Sequence, residues 1–420
     1  MTEISSELLE NLPELKSLLQ KEEFSAIEYL NNIFKEFKDN RNDKITSELS
    51  LSDFFVNKMA INRNKIVNEN LLYIGAFYAL WKGKLDEYQL FRNRLSKQKI
   101  NYFYTLCLEN LFHILFTGNI SKVNQNLEAI KIYLEKHGIG ESKERSQLLI
   151  NYFGIKSYLF DLKGNDVKCN QFYTFALRET SDQQLDADSL IIPTILRIIL
   201  LLDTDVEIAQ QLTLDLINTL KSTENRFFIS IAQLYLGKTT YLEKDSITAH
   251  NIYSNLRKRL NKLQAAPLLL LLNIQVGDLE FLVGRTKKAL NIYKNVISTA
   301  TIASMPRMIV LGLRHLGDIY LLQLNLNVSQ DLYEKAVIIT KKIHDHSNRA
   351  YCLQQLGSIY LAQKNYVEAH KTFLESLELI EHFKIRKLNL TFELGQLFLN
   401  LKDEINITKM SNVINFILLH

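Results

Sequence analysis

Apolar and polar positions recur along this chain at a fixed step of 40 residues. The segment His315-Leu316-Gly317-Asp318-Ile319-Tyr320 returns as Gln355-Leu356-Gly357-Ser358-Ile359-Tyr360. Extending the step both ways gives aligned columns over six units. One column reads Ser157, Arg197, Gly237, Gly277, Gly317 and Gly357. The position just before it reads Lys156, Leu196, Leu236, Val276, Leu316 and Leu356. Twelve residues after the first column every residue is small: Cys169, Ala209, Ala249, Ala289, Ser329 and Ala369. Four further on, five of six are aromatic: Tyr173, Thr213, Tyr253, Tyr293, Tyr333 and Phe373.

These columns predict helices in pairs. A glycine inside a helix costs about 1 kcal/mol relative to alanine. A regular series of them therefore marks places where a neighbouring helix comes too close for a Cβ. The small residue is the expected facing contact on the second helix. The aromatic lies one turn along the same face and is expected to fill the wedge between one hairpin and the next. Turn residues lie between the columns, as in Val283-Gly284-Arg285-Thr286 and Gln363-Lys364-Asn365-Tyr366. Each unit reads as helix, short turn, helix. Pro267 and Pro306 stand near expected helix starts, where a missing N–H does no harm. Pro193 falls inside an apolar run and is expected to kink its helix.

The pattern resembles the tetratricopeptide (TPR) repeat. The family's order of Leu-Gly, Tyr, small residue and aromatic is visible as Leu316-Gly317, Tyr320, Ser329, Tyr333 and Ala336, and again as Leu356-Gly357, Tyr360, Ala369 and Phe373. The period is 40 rather than about 34, so each helix is expected to be about a turn longer. The family's helix-ending proline is replaced by Lys221, Asn261, Thr301, Lys341 and Glu381. The resemblance implies an all-α fold: an α-solenoid, a right-handed superhelix of TPR-like αα-hairpins. It also implies a face lined by the first helix of each unit that carries the ligand.

The expected organisation follows. Residues 1–70 form an N-terminal helical region containing a half-repeat at 21–26 and a polar loop at 39–50. Residues 71–149 form irregular hairpins, with turns at Trp81-Lys82-Gly83-Lys84 and Phe116-Thr117-Gly118-Asn119. Residues 150–380 form six regular repeats, the Arg197 unit being the least regular. Residues 381–420 form a shortened repeat and capping helices, with the apolar 414–419 docking back onto the stack. Terminal units of a stack depart from consensus because they cap it.

Composition supports this picture. The chain has 14 glycines and 4 prolines in 420 residues, roughly a third of the usual combined share of about 12%. Sheet folds need more turns than that allows. A net charge of +4, from 50 basic and 46 acidic residues, gives no electrostatic footprint for nucleic acid. Basic runs at Arg257-Lys258-Arg259 and Lys384-Ile385-Arg386-Lys387 read as helix ends, where cations offset the dipole. The apolar runs at 190–202 and 265–274 are too short to cross a bilayer. Three dispersed cysteines, Cys107, Cys169 and Cys352, argue against a disulfide framework and for a reducing, cytoplasmic setting. The acidic start lacks the basic region of a signal peptide.

Candidate chemistry is sparse. No phosphate-loop, dinucleotide, nucleophile-elbow, zinc-protease or calcium-loop motif occurs, so no cofactor and no catalytic residue is expected. His344-Asp345-His346 is a dense cluster of metal-ligand types, but a metal would want a third protein ligand and a supporting shell, and it reads as a turn. His315 and Asp318, three apart on one helix, could share a proton, with no nucleophile near in sequence. Cys352 reads as a small buried hydrophobe.

Helical spacing selects the ligand-facing positions: three before the glycine column, one after it, and one turn further on. These are Leu234, Lys238 and Tyr241; Ile274, Asp278 and Phe281; Arg314, Asp318 and Leu321; Gln354, Ser358 and Leu361. In a shortened last unit they are Phe392, Gln396 and Leu399. The expected peptide- or partner-binding residues are Lys238, Tyr241, Asp278, Phe281, Arg314, Asp318, Gln354, Ser358 and Gln396. The expected function is a non-enzymatic protein–protein interaction scaffold that binds a peptide or helix, with no nucleic-acid or membrane partner. The alternative is a peptide- or ligand-responsive regulator with residues 1–120 as a helical effector part, although no helix-turn-helix motif supports it.

The register has its own test. Ala289→Arg should overpack the hairpin contact, and Tyr293→Ala should cost about 3–5 kcal/mol of unfolding free energy. Near-wild-type denaturation midpoints in both would overturn the column assignment.

Overall fold

The glycine column finds its physical cause in a ring. Among the residues placed by the computed structural model (69–137, 142–162, 165–202, 204–223 and 226–379), every regular element is helical. The helices alternate as first and second members of hairpins. They are α1 (Glu69–Trp81) and α2 (Leu85–Arg94); α3 (Ile100–Phe112), ending in a π-helical turn at His113–Thr117, and α4 (Ile120–His137); α5 (Lys143–Asp161) and α6 (Asp166–Asp182); α7 (Ile191–Leu201) and α8 (Val206–Thr223). The later four pairs keep one 40-residue step: α9 (Arg226–Leu242) and α10 (Ser246–Leu263); α11 (Ala266–Leu282) and α12 (Thr286–Ile302); α13 (Pro306–Leu322) and α14 (Leu326–Ile343); α15 (His346–Ala362) and α16 (Tyr366–Leu379). The predicted half-repeat and polar loop, the shortened last repeat and the apolar 414–419 lie outside the described residues.

Within each late hairpin the aromatic sixteen residues on lies against the glycine of the same hairpin. A Cβ on Gly277 would stand 2.5 Å from Tyr293 Cε1, and one on Gly317 2.8 Å from Tyr333 Cε1. Tyr253 covers Gly237 and Phe373 covers Gly357 in the same way. The columns predict a helix backbone there and the ring in the wedge between hairpins. The space is instead filled by the ring itself. The small column does face the first helix: Ala249, Ala289 and Ala369 are fully buried, and Ser329 Oγ donates to the Gly317 carbonyl at 2.9 Å. Where Arg197 replaces the glycine, Thr213 replaces the aromatic, and the guanidinium lies over Tyr173 at 5.4 Å.

The repeat places left-handed backbone at two points. Lys244, Gly284, Leu324 and Lys364 take positive φ in the turns inside the last four described hairpins; Gln184, Gln264, Ser304 and His344 take it between hairpins. Second helices then start on a side-chain cap. Asn165, Asp205, Asp245, Asn325 and Asn365 accept from the amides of Lys168, Ile208, Thr248, Val328 and Glu368, satisfying an otherwise orphaned donor. Only Arg285 breaks this 40-residue series, making no side-chain cap bond. Pro306 is the first residue of α13, as expected. Pro193 is the third residue of α7, after a 3-10 turn at Ala187–Leu190. It lies in the first turn, where its missing N–H costs nothing, rather than in the helix interior. Its ring occupies the space beside Gly154, where a Cβ would meet Pro193 Cγ at 2.6 Å.

The chain divides into two compact units. The first holds 69–112, Val123–Lys156 and Phe172–Leu272. In it Phe77, Tyr78 and Trp81 of α1 meet Phe227 and Phe228 of α9, with Phe77 and Phe227 edge to face at 5.6 Å. Between α2 and α3, Arg92 Nη1 donates to both oxygens of buried Glu109, at 2.8 and 2.7 Å. Asn126 Nδ2 donates to Glu109 at 3.1 Å, so the buried charges are paired and hydrogen-bonded as burial requires. The second unit holds His113–Lys122, Ser157–Gln171 and 273–379. Its core joins Val310, Leu313, Tyr333, Ala336, Cys352, Leu356 and Ile359.

Two kinds of glycine should respond differently. Gly277→Ala gains about 1 kcal/mol of helix propensity but forces a Cβ into a buried ring, costing about 1–3 kcal/mol; a net loss of stability is expected. Gly284 has open space around it and φ +80°, so Gly284→Ala should lose about 1 kcal/mol through backbone strain alone. Leu324→Gly, at φ +59°, should gain up to about 1 kcal/mol. Urea midpoints of the full chain check all three, and the same sign for Gly284→Ala and Leu324→Gly would refute the assignment.

Candidate functional site

The predicted partner-binding positions fall in both units. Lys238 and Tyr241 lie on α9 in the first, half-buried, with the Lys238 ammonium over the Tyr241 ring at 5.4 Å. Asp278 and Phe281 of α11, Arg314 and Asp318 of α13, and Gln354 and Ser358 of α15 lie in the second, all half-buried. Gln396 lies outside the described residues, with Phe392 and Leu399. Of the apolar positions, Leu234 and Ile274 are fully buried, whereas Leu321 and Leu361 keep partial exposure.

The second-unit residues share one polar network. Tyr293 donates its hydroxyl to Asp278 Oδ1 at 2.6 Å, and Tyr333 donates to Asp318 Oδ1 at 2.6 Å. Each pair is separated by fifteen residues, within one hairpin. Asp318 Oδ1 also accepts from Tyr351 of the following hairpin at 2.8 Å. Arg314 lies over the Tyr351 ring at 4.8 Å and donates to Asn348 Oδ1 at 2.9 Å. His315 stacks on Tyr293, centroids 5.1 Å apart. Its Nδ1 is 3.3 Å from Asp278 Oδ1 and 3.9 Å from Asp318 Oδ2. The nearer carboxylate for His315 is therefore the one on the preceding hairpin, not Asp318 on its own helix. Arg314 Nη2 stands 3.5 Å from His315 Nε2.

The electrostatics keep the two phenols, the guanidinium and the thiol protonated. Burial first, and then the Asp318 carboxylate, push the Tyr333 and Tyr351 hydroxyls far above the usual phenol range, so both stay donors. Burial works against the Arg314 charge, but Asp318, Tyr351, Cys352 and Asp278 outweigh it and raise its pKa. Burial raises the Cys352 thiol to about 12, so it stays protonated and unreactive, as a core cysteine should. The arrangement offers fixed donors and acceptors. Ser358 occupies the Asp column in the last described hairpin, and its hydroxyl donates to the Gln354 carbonyl at 3.2 Å. That hairpin carries Phe373 in place of tyrosine, so the carboxylate and the phenol are lost together.

This pairing is present in the sequence as residue types fifteen apart. Asp goes with Tyr at 278/293 and 318/333, and Ser goes with Phe at 358/373, whereas Lys238 stands with Tyr253. Asn348 and Tyr351 carried no signal, since neither repeats at the 40-residue step. In the His344-Asp345-His346 cluster, His344 ends α14 with φ +57° and Asp345 caps α15. Among the described residues, no group of three His, Cys, Asp or Glu side chains is placed to hold a metal ion. No helix among them is long and apolar enough to cross a membrane.

Comparison with known proteins matches the geometry. The tetratricopeptide repeat family profile fits residues 309–382, which cover α13 to α16. No curated protein matches the chain. Among solved structures, a Rap protein complexed with Competence and Sporulation Factor superposes with TM-score 0.56 and 10% identity, over 83% of this chain and 97% of that one. A STAND-type signal transduction ATPase with a tetratricopeptide repeat sensor, from Pyrococcus horikoshii, gives TM-score 0.48 and 15% identity, over 97% of this chain and 61% of that one. Aspartyl phosphate phosphatase F from Bacillus subtilis gives TM-score 0.41 and 11% identity, over 89% and 88%. The helix pairs, the glycine and ring columns and the family profile over 309–382 agree: the described residues form an all-α, tetratricopeptide-like solenoid.

Proposed function

We propose that the chain is a non-enzymatic, cytoplasmic interaction protein that takes a peptide or helix of a partner protein along its first-helix face. The division behind this reading is six regular repeats over 150–380 with irregular hairpins before them. The observation that carries it is the second-unit network. Hydrogen-bonding side chains on α11, α13 and α15 are fixed by one another, so binding would cost little side-chain entropy. Phe281, Leu321 and Leu361 supply half-buried apolar surface on the same helices. Tyrosine and arginine beside such surface are the residue types that dominate interface energy. An extended segment could use these groups for main-chain hydrogen bonds.

A second reading is a regulator that responds to a peptide or small ligand, with 1–120 as its effector part. Its support is the fold likeness to the Rap protein, which is complexed with Competence and Sporulation Factor. At 10% identity that likeness speaks to fold alone.

Crosslinking of the full chain in its native cell should recover a protein or peptide joined to 273–379. Phe281→Ala and Gln354→Ala should each weaken that complex about tenfold, or about 1.4 kcal/mol, with unchanged thermal midpoints. Recovery of no partner along this stretch would overturn the proposal. A thermal shift produced by short peptides would favour the regulator.

A further inference from the structure

The π-helical turn at the end of α3 leaves one carbonyl to be satisfied from far away in sequence. Gly118 N donates to the His113 carbonyl at 2.7 Å, the five-residue step of a π-turn. Asn119 N donates to Thr117 Oγ1 at 3.3 Å. The Ile114 carbonyl receives Arg307 Nη1 of α13 at 2.6 Å, across 193 residues. Beside this bond Gly118, at φ +72°, lies so close to Ile343 that a Cβ would stand 2.8 Å from its Cδ1. The hydroxyl of fully buried Tyr158 lies alongside Arg307 and Asp345. All these residues belong to the second unit.

The same arginine begins a chain of contacts that ends in the candidate site. Arg307 Nε is 4.0 Å from Asp345 Oδ2. Asp345 caps α15 by accepting from Asn348 N at 3.1 Å, and its Oδ2 accepts from Asn348 Nδ2 at 2.7 Å. Asn348 Oδ1 accepts from Arg314, whose guanidinium covers Tyr351, which donates to Asp318. Every step is a hydrogen bond, an ion pair or a ring contact between named groups. The oxygens of Asp345 and the amide of Asn348 are each used on both sides.

We propose that Arg307 is a latch: it holds the π-turn segment against α13 and α15, and its seating is coupled through Asp345 and Asn348 to the order of Arg314, Tyr351 and Asp318. A partner that engages Arg314 withdraws a donor from Asn348 and thereby loosens Asp345 and the arginine. Loss of the Arg307 bond removes this donor from the Ile114 carbonyl, while the next amides along, Gly118 N and Asn119 N, already donate to the His113 carbonyl and Thr117 Oγ1. Partial exposure of Arg307, at 20%, gives its released guanidinium access to water. The device rests on the recognition reading only for what would trigger it; the coupling itself is a property of the unliganded chain.

Hydrogen exchange by mass spectrometry on the full chain, without any ligand, tests it. Arg307→Gln should speed exchange of peptides covering 113–122 about tenfold or more, the effect of losing one charge-assisted bond. Arg314→Met, which touches neither the π-turn nor Arg307, should speed the same peptides about threefold or more, with α10 peptides at wild-type rates. A purely local role for Arg307 predicts no effect of Arg314→Met, and that result overturns the coupling. Unchanged exchange in Arg307→Gln overturns the latch. If Arg307→Gln also speeds α10, the rate over 113–122 is read relative to α10, and a ratio equal to that of the unmodified chain overturns the latch. A partner search that fails while the coupling holds would remove the trigger and leave the latch standing.

Discussion

Everything in the regular part of this fold depends on seating one aromatic ring on one bare stretch of helix. The first helix of a hairpin gives up a side chain at Gly237, Gly277, Gly317 or Gly357, and the second helix lays Tyr253, Tyr293, Tyr333 or Phe373 into that space. Glycine at a helix interior costs about 1 kcal/mol. The ring repays this by burying completely, and it fixes the axial position of one helix against the other. Once that is set, the small residue one turn earlier faces the first helix. The phenol of Tyr293 or Tyr333 then reaches the carboxylate next to the glycine. A single contact thus determines the hairpin register and places the polar groups of the candidate site.

Much of this was legible in the sequence because it repeats. A fixed 40-residue step turns weak signals at single positions into columns, and the columns gave the hairpin, the glycine, the small residue and the ring. They did not say which surface the ring meets. A column records that a residue type is kept in place, and two neighbours can each satisfy that. The capping column of Asn165, Asp205, Asp245, Asn325 and Asn365 was equally periodic but lay in what read as a turn. Pro193 makes no interior kink because the apolar run around it begins before its helix does; the 3-10 turn at Ala187–Leu190 absorbs the first part.

The contacts that do not repeat could not be seen in this way. Trp81 against Phe227 and Phe228, Lys82 against Gln264, and Arg307 against the Ile114 carbonyl join residues about 150 to 190 positions apart. In a plain stack each repeat meets only its neighbours, and stability is a sum of local terms. Each unit here carries long-range ties as well, so hairpins distant in sequence share a fate on unfolding. The candidate site sits between these regimes. Its Asp–Tyr pairs are periodic, while Arg314, Asn348 and Tyr351 are each particular to one hairpin.

The pairing of Asp with Tyr and of Ser with Phe across fifteen residues bears on how such a chain can diversify. Replacing the tyrosine alone strips a donor from a half-buried carboxylate. Replacing the aspartate alone leaves a phenol deep in the packing without its acceptor. In these hairpins each single step passes through an orphaned polar group, whose burial is costly, although both end states are sound; the hairpin with Lys238 in the Asp column keeps Tyr253 and stands outside this rule. Inheritance of whole hairpins avoids that barrier, because the two positions travel together on one continuous piece of chain. The hairpin, rather than the residue, is then the natural unit of variation in this protein.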